Sequence, residues 1–179
     1  MTRNTWFALL LLCTTASASA GAPHPGRDNA ACEVWRHELS FAQSVQRHDA
    51  SAFAAHVAPA AVFDANSGRP TRGRRTILRQ WAPIIAGKAL RLDWYPRHVA
   101  VSGKSDLAFS SGPYLLQRLA PGAGPRYTIG TFGTVWHRGS NGVWHVVFDS
   151  GDAGRPASAA DVATFQAGRQ TRCPKPGDA

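Results

Sequence analysis

The sequence of 179 residues lacks the short motifs that mark several large enzyme classes. It contains no G-x-S-x-G nucleophile elbow, no glycine-rich phosphate loop and no internal repeat. Its histidines include no H-x-x-x-H pair, the spacing that would place two metal ligands on one face of a helix. These absences argue against an α/β-hydrolase, a nucleotide-dependent enzyme and a helical metal site. We therefore expect neither a metal nor a cofactor.

Long hydrophobic runs are also missing, except for WFALLLLC near the start. This run follows Arg3 and precedes a stretch of small residues, which predicts a secretory signal peptide over residues 1–20 with cleavage before Gly21. The run is too short for a transmembrane helix. Leu12 precedes Cys13, where a lipoprotein signal would need a small residue. We therefore predict a periplasmic or secreted protein without a membrane anchor.

Cysteine is scarce, with three residues in the chain. Cys13 lies in the predicted signal peptide, so the mature chain keeps Cys32 near its start and Cys173 near its end. In an oxidising compartment, the simplest interpretation of such a pair is a disulfide. The alternative is two free thiols.

Acidic residues are few, because 11 Asp and Glu stand against 20 Lys and Arg, for a formal net charge of +9. Arginines cluster over residues 69–79. Such a cluster attracts anionic partners, or it decorates a solvated loop and helix start. The sequence has no recognisable nucleic-acid-binding motif, so we expect no nucleic-acid partner.

Predicted helices come first along the chain. A lead-in rich in proline and glycine, over residues 21–29, is expected to be flexible. Hydrophobic periodicity predicts a helix over residues 30–47, a short helix capped by Asp49 and ended by Pro59, and a third helix that begins at Gly73. A short strand over residues 61–63 precedes this third helix.

After Gly87 the hydrophobic period changes from about 3.6 to 2, which predicts strands. We expect strands over residues 89–102, with a bulge at Pro96, and over 106–119, 126–138 and 143–151. A closing helix over 158–168 carries a capping box. Helices followed by a kinked antiparallel meander predict an α+β fold: a single cone-shaped domain, with N-terminal helices on a strongly curved, mostly antiparallel sheet that encloses a ligand cavity.

Several segments, in this order, resemble the ketosteroid-isomerase-like superfamily, also called SnoaL-like or nuclear-transport-factor-like. They are the E-x-x-F of Glu38 and Phe41, HDASAFAAHVAPAAVFD, the G-R-x-x-I of Gly73 to Ile77, SDLAFSSGPY and TVWHRGSNGVWHVVFDSG. Within it, the sequence is most similar to small exported bacterial proteins. The resemblance implies a cone domain over residues 30–152. Residues 153–179 would then form a C-terminal helix and tail, tied back by the disulfide.

The superfamily includes isomerases, dehydratases, epoxide hydrolases, cyclases and binding proteins, so the fold does not decide the function. The steroid isomerase uses an aspartate base and an oxyanion hole of tyrosine and protonated aspartate. Here Phe41 falls at the tyrosine's place, and Phe132 or Gly133 at the protonated aspartate's place. Asp64 lies within about one residue of the base's position, and it is a candidate catalytic residue. The resemblance therefore does not predict steroid isomerisation.

Glu38 is a carboxylate on the apolar face of the first predicted helix. A buried carboxylate is costly unless it is paired or protonated. If this face lines the cone, Glu38 is a cavity acid whose raised pKa suits proton transfer. In the structural alternative, Glu38 pairs with an inward arginine or a tryptophan N–H and orients the helix.

Asp149 is the third candidate catalytic residue, after Glu38 and Asp64. If GSNG is the whole hairpin loop, the pairs are Arg138/Val143, Trp136/His145, Thr134/Val147 and Phe132/Asp149. Asp149 then shares a sheet face with Trp136 and His145. His137 points to the opposite face from His145, which also argues against a metal site. Alternatively, Asp149 only ends the last strand and caps a turn.

Four aromatic residues are predicted to line the pocket, where they would contact a flat apolar ligand and offer N–H or O–H donors. They are Trp81, Trp94, Tyr114 and Trp136. Two functions fit these features. One is cofactor-free acid/base chemistry of isomerase, dehydratase or cyclase type on a small apolar molecule. The other is a non-catalytic module that binds a ligand or a protein partner, and a homodimer is compatible with either function.

Overall fold

A computed structural model describes residues 25–122 and 124–174. The predicted signal peptide, residues 1–20, lies outside the described residues. The helices are α1 (Pro25–Gln46), α2 (Ala50–His56), α3 (Arg74–Ala86) and α4 (Ala159–Ala167). The strands are β1 (Val57–Phe63), β2 (Thr71–Arg72), β3 (Leu90–Trp94), β4 (His98–Val101), β5 (Leu107–Arg118), β6 (Tyr127–Arg138), β7 (Trp144–Gly151) and β8 (Arg155–Pro156).

Helix α1 begins five residues before the predicted start. Residues 25–29 are therefore helical, and the prediction of a flexible lead-in was wrong for them. Proline fits the first position of a helix because its fixed φ is helical and its missing N–H would have no partner there. Residues 21–24 of the predicted lead-in lie outside the described residues.

The turn between α2 and β1 is tighter than predicted. Asp49 caps α2 as expected, since its side chain accepts a hydrogen bond from the backbone N–H of Ala52. The helix ends at His56 and β1 begins at Val57, so Pro59 lies inside the strand instead of after the helix. Proline is tolerated at this position because the pairing of β1 with β7 is irregular between Val57 and Val62.

The sheet confirms the predicted α+β cone. Its strand order is β2-β1-β7-β6-β5-β3, with β4 paired to β5 and β8 paired to β6. The β1–β7 pair is parallel and the other pairs are antiparallel. The bulge predicted at Pro96 is a break between β3 and β4, which both pair with β5. The chain crosses Gly112 so closely there that a Cβ atom would lie 2.1 Å from the carbonyl oxygen of Tyr95.

The predicted register of the β6–β7 hairpin was wrong. Arg138 pairs with Trp144 instead of Val143, because the loop is longer than GSNG. His137 therefore lies directly opposite His145, and these two residues do not point to opposite faces. A bulge at Val147 then shifts the register again, so that Asp149 pairs with Thr134.

The core lies between α1 and the concave face of the sheet. Phe41 and Val45 of α1 are buried against Trp136 and Val146 of the sheet. A smaller cluster forms where Phe165 of α4 packs against Tyr95 and Leu115. Within residues 25–122 and 124–174, no helix combines the length and hydrophobicity needed to cross a membrane.

Cys32 and Cys173 form the predicted disulfide, with their Cα atoms 5.4 Å apart. The bond joins α1 to the segment after α4, across a sequence separation of 141 residues. Disulfides of this kind persist in oxidising compartments. Local helix signals were also reliable near this end of the chain, because Ser158 and Asp161 form the predicted capping box of α4.

Candidate functional site

A cavity of about 330 Å³ opens between α3 and the concave face of the sheet. It brings together five of the seven residues predicted to act in catalysis or ligand binding: Asp64, Asp149, Trp81, Trp94 and Tyr114. A second cavity, of about 350 Å³, lies between the end of α1, β3 and α4, and it contains none of the predicted acids. We therefore place the candidate site in the first cavity, where carboxylates and aromatic rings meet.

Asp149 lies on the cavity wall near the end of β7. Its Oδ2 atom accepts a hydrogen bond of 2.8 Å from Thr134 Oγ1. Burial raises the pKa of Asp149 to about 7, and the negative charges of Glu38 and Asp64 contribute, while the Thr134 hydroxyl opposes the shift. A carboxyl group with a pKa near neutrality can both accept and donate a proton, as general acid–base chemistry requires.

Asp64 reaches the same wall from the residue after β1. Its backbone N–H donates a hydrogen bond of 2.8 Å to the carbonyl oxygen of Asp149. Its φ of 55° lies in the left-handed region, which aspartate tolerates better than most residues. The N–H and hydroxyl groups of Ser67 both donate to the Asp64 carbonyl and hold this conformation. Such local strain is common at functional sites.

Asp152 also lines the cavity, although the sequence analysis did not select it. Its carboxylate accepts hydrogen bonds from the backbone N–H groups of Thr131 (3.1 Å) and Gly154 (2.9 Å). Its carbonyl oxygen accepts a bond of 3.0 Å from the Tyr114 hydroxyl. The sequence signal was the D-x-G spacing, which indicates a turn and says nothing about a cavity.

Glu38 is fully buried, but it does not line the cavity. Its Oε1 atom accepts from Trp94 Nε1 (2.7 Å), and its Oε2 atom accepts from Ser110 Oγ (2.5 Å) and Trp136 Nε1 (3.0 Å). Burial raises the pKa of Glu38, and these donors oppose the shift. The described residues place no Lys, Arg or His within ion-pair distance of it. The tryptophan partner of the structural alternative is therefore present.

The aromatic rings divide into two groups. Trp81, Trp94 and Tyr114 line the cavity together with Phe132, which the sequence analysis did not select as a ligand-binding residue. The Trp81 and Trp94 rings are 6.3 Å apart at 74°, and the Trp94 and Phe132 rings are 6.4 Å apart at 64°. Trp136 lies deeper, fully buried, where its indole N–H contacts Glu38.

A histidine cluster lies on the other side of Trp136. The rings of His37 and His56 are 5.9 Å apart, and each ring centroid is about 6 Å from that of Trp136. Burial lowers the pKa of His56 to about 4, and the nearby His37 and His145 lower it further. Among the described residues, no group of three or more His, Cys, Asp or Glu side chains is arranged to hold a metal ion.

No protein-family model matches the chain, and no curated protein matches it. Several solved structures match it. A proposed dehydratase of the NTF2-like family from Streptomyces avermitilis aligns with a TM-score of 0.58 at 18% identity, covering 70% of this chain and 96% of that chain. An NTF2-like protein of unknown function from Pseudomonas putida aligns with a TM-score of 0.57 at 19% identity, covering 70% and 87%.

A ketosteroid isomerase-like protein from Erwinia carotovora aligns with a TM-score of 0.51 at 14% identity, covering 68% of this chain and 92% of that chain. The fold is therefore that of the NTF2-like and ketosteroid isomerase-like proteins, which confirms the fold that the resemblance implied. Because these identities are low, the likeness concerns the fold alone.

Proposed function

We propose that the protein binds a small, largely apolar molecule in the 330 Å³ cavity and that Asp149 exchanges a proton with it. One observation carries this proposal. The carboxyl group of Asp149, with a pKa near 7, lies on the wall of a cavity that is otherwise mostly apolar and aromatic. Pockets that combine apolar walls with a few polar groups of perturbed pKa are typical of ligand and catalytic sites.

The chemistry would be of isomerase, dehydratase or cyclase type and would need no cofactor. Asp149 would remove a proton from the ligand as a carboxylate, or return one as a carboxylic acid. Burial would keep the pKa of Asp149 raised, and the negative charges of Glu38 and Asp64 would add to this effect. Steroid isomerisation is not proposed, because Phe132, near the place of the oxyanion-hole aspartate, has no polar group to donate a hydrogen bond.

A non-catalytic module that binds a ligand, or a protein partner, is the second candidate function. It is favoured by the contacts of Glu38, which uses both carboxylate oxygens on internal donors and has no access to the cavity. A binding module needs the cavity but no proton transfer. The two candidates differ in one result: Asp149→Asn should abolish turnover in an enzyme and should leave a binding module able to bind.

Binding to the cavity can be tested with a neutral solvatochromic dye, Nile red. Leu116 lines the cavity, and Leu107 is 44% exposed. We expect saturable fluorescence enhancement with the wild-type protein, loss of it in Leu116→Trp, and retention in the matched control Leu107→Trp. Equal binding by both variants would place the dye elsewhere and refute a ligand site in the cavity.

Turnover needs a substrate, which a thermal-shift screen of apolar metabolites would supply. For each stabilising compound, loss or rearrangement of the compound should be followed by NMR with wild-type protein and with Asp149→Asn. Turnover that persists unchanged in Asp149→Asn would remove Asp149 from the proposed chemistry. Binding without turnover, for every stabilising compound, would favour the non-catalytic module.

The predicted location, periplasmic or secreted, also remains a proposal. It is supported by the signal-like composition of residues 1–20 and by the Cys32–Cys173 disulfide. Expression in a Gram-negative host followed by cell fractionation tests it. We expect a mature chain that begins at Gly21 in the periplasmic fraction or the medium, and full-length protein in the cytoplasm would contradict the proposal.

The outer face of the sheet supports the proposed homodimer. Phe109, Val135 and Phe148 lie side by side on β5, β6 and β7, because Phe109 pairs with Val135 and Val135 with Phe148. Phe109 is 46% exposed and Phe148 is 47% exposed. A second copy of the chain would cover this row and remove both rings from water. Sedimentation should show a dimer that Phe109→Asp converts to a monomer, and a monomeric wild type at all concentrations would exclude it.

A further inference from the structure

We infer that the cavity binds an organic cation more tightly than a neutral or anionic molecule of the same shape. Such a cation is a mainly hydrocarbon molecule that carries a positively charged nitrogen. This inference rests on the proposed function, because it concerns the same cavity. It goes further by assigning a charge to the ligand, and it is carried by the distribution of carboxylates and aromatic rings around the cavity.

The cavity wall is acidic, although the protein as a whole is basic. Asp64, Asp149 and Asp152 line it, and no Lys, Arg or His is among its described lining residues. The whole chain has 20 Lys and Arg but 11 Asp and Glu, so three carboxylates around one cavity are not a reflection of overall composition. A basic protein that placed anionic ligands here would be expected to use some of its arginines.

None of the three aspartates has a cationic partner among the residues that the structure describes. In residues 25–122 and 124–174, the ion pairs are Arg138–Glu33, Arg155–Asp161 and Arg169–Asp93, and none of these six residues lines the cavity. Asp149 accepts a hydrogen bond from Thr134 through Oδ2, while its Oδ1 atom has no hydrogen-bond donor among these residues. The negative charge of the wall therefore remains available to a ligand.

The aromatic part of the wall fits the same ligand. Trp81, Trp94 and Phe132 surround the cavity in a chain of rings that lie at steep angles to one another, so that faces and edges alternate. The face of an aromatic ring attracts a cation, and tryptophan does so most strongly. A cage of indole and phenyl rings beside carboxylates is an arrangement that recognises ammonium groups.

Tyr114 completes the cage, and the fold holds its ring in a fixed place. A Cβ atom at Gly130 would lie 2.6 Å from Tyr114 Cε1, and a Cβ atom at Gly154 would lie 2.5 Å from the Tyr114 hydroxyl. The ring therefore packs directly on glycine backbone, and its hydroxyl is anchored to the carbonyl oxygen of Asp152. This packing presents the ring to the cavity beside the acidic wall.

A metal ion fits this wall less well than an organic cation. Hard cations such as Ca²⁺ require six or more oxygen ligands, and the described residues contain no group arranged to hold a metal. Much of the wall is aromatic, which offers a metal ion no ligand but offers an alkylammonium ion both hydrophobic contact and charge attraction. The same wall would repel an anionic ligand.

The inference implies that binding depends on pH. The titratable groups near Asp149 are Glu38, which lies behind the cavity, and Asp64, Asp152 and Tyr114, which line it; the charges of Glu38 and Asp64 raise the pKa of Asp149. A bound cation would favour the ionised form of Asp149, and a proton would leave on binding. Affinity for a permanent cation should therefore rise about tenfold from pH 6 to pH 8, whereas affinity for a neutral molecule should not rise.

The test compares benzyltrimethylammonium with its uncharged carbon isostere, neopentylbenzene, by titration of tryptophan fluorescence at pH 8 with the wild-type protein. We expect the cation to bind at least tenfold more tightly than the isostere. The double variant Asp64→Asn, Asp149→Asn should remove this preference, and Asp106→Asn, outside the cavity, should keep it. The comparison of the two probes with the wild-type protein tests the inference even if the double variant does not fold.

The outcomes separate this inference from the proposed function. If Nile red binds in the cavity but both probes bind equally, or neither binds, the charge preference is refuted and the apolar cavity stands. If Nile red does not bind either, the proposed function fails and the inference fails with it. A preference for the cation that is lost in the double variant and kept in Asp106→Asn supports the inference.

Discussion

The indole N–H of Trp94 donates a hydrogen bond of 2.7 Å to Oε1 of Glu38. Trp94 also lines the cavity, whereas Glu38 lies behind it and is fully buried. One side chain therefore links the buried acid to the candidate site. The charge of Glu38 also raises the pKa of Asp149. We therefore propose that Glu38 is a positioning residue, which acts on the cavity through Trp94 and through its charge.

Replacing Glu38 with glutamine should weaken the fold. Glu38 accepts hydrogen bonds from three donors, and the NH₂ group of glutamine cannot accept. Leaving a buried donor without a partner costs about 1–3 kcal/mol in the free energy of unfolding. The loss should be measured by urea denaturation. Glu33→Gln is the matched control, because Glu33 is 37% exposed and should cost much less.

The same substitution should lower the pKa of Asp149, because a nearby negative charge disappears. Carboxyl carbon NMR titration of wild type and Glu38→Gln would measure this shift. An unchanged Asp149 pKa together with unchanged stability would contradict the positioning role.

Asp149→Asn should change how stability depends on pH. In the folded protein the pKa of Asp149 is about 7, above its ordinary value of 3.8, so the folded state holds a proton that the unfolded state releases between these values. This group therefore stabilises the fold at low pH, and the contribution is lost as pH rises toward 7. Relative to wild type, Asp149→Asn should gain on the order of 3 kcal/mol in unfolding free energy from pH 4 to pH 7.

The quantity to compare is the difference in unfolding free energy between Asp149→Asn and wild type at each pH. This difference is needed because the titration of histidines changes stability with pH in the opposite direction to Asp149. The pKa of His56 falls from 6.5 to about 4 on folding, so the unfolded state binds the extra proton and stability decreases as pH falls through this range. Subtracting the unfolding free energies of the two proteins, obtained from urea denaturation at each pH, removes this shared contribution. A difference in unfolding free energy that does not change with pH would show that the pKa of Asp149 stays near its ordinary value in the folded protein.

The Cys32–Cys173 disulfide should make a large contribution to stability. It closes a loop across 141 residues, and in the chain-entropy model such a loop stabilises the fold by about 5 kcal/mol. Reduction should therefore lower the melting temperature by about 10 °C or more. The double variant Cys32→Ala, Cys173→Ala should melt at the reduced temperature, with no further change on adding reductant. Thiols that react with iodoacetamide in the unreduced, denatured protein would contradict this prediction.

Gly130→Ala should displace Tyr114 and alter the cavity. The added Cβ would lie 2.6 Å from the tyrosine ring and 2.1 Å from Asp152 Oδ1, so the ring or the turn must move. We expect weaker binding of Nile red and loss of the hydrogen bond from Tyr114 to Asp152. Gly122→Ala is the control, since no atom lies within 4 Å of the Cβ position there. Equal dye affinity in the two variants would argue against a role for the Tyr114 ring.

Much of the fold could be predicted because its signals are local. Asp49 and Ser158 cap helices as expected, since a cap depends on a few neighbouring residues. Helical periodicity identified the burial of Glu38, and two remaining cysteines left one internal pairing. The contacts of Glu38 could not be predicted. Its donors come from three strands, 56, 72 and 98 residues further along the chain.

Part of the candidate site could also be predicted, and the part that was missed again depends on contacts between distant segments. Asp64 and Trp94 lie at strand ends, Tyr114 lies on β5 and Trp81 lies on α3, and the packing of α3 on the curved sheet brings these positions together. Trp136, which was predicted to bind a ligand, lies deeper than the cavity, because alternation indicates which face a side chain takes but not how deep it lies. Asp152 was missed because its spacing resembles that of an ordinary turn residue.

The sequence by itself determined the order of the main helices and strands, the caps of α2 and α4, the one pairing open to Cys32 and Cys173, and the presence of a carboxylate in the apolar face of α1. Only the tertiary structure decided which acids reach the cavity. The longer hairpin loop and the bulge at Val147 each shift the β6–β7 register by one residue, and the two shifts together leave Asp149 on the sheet face of Thr134 and Trp136. In a strand each one-residue shift reverses the face of every following side chain. Long-range packing against α1 and α3 selects among these registers, and local sequence does not encode that packing.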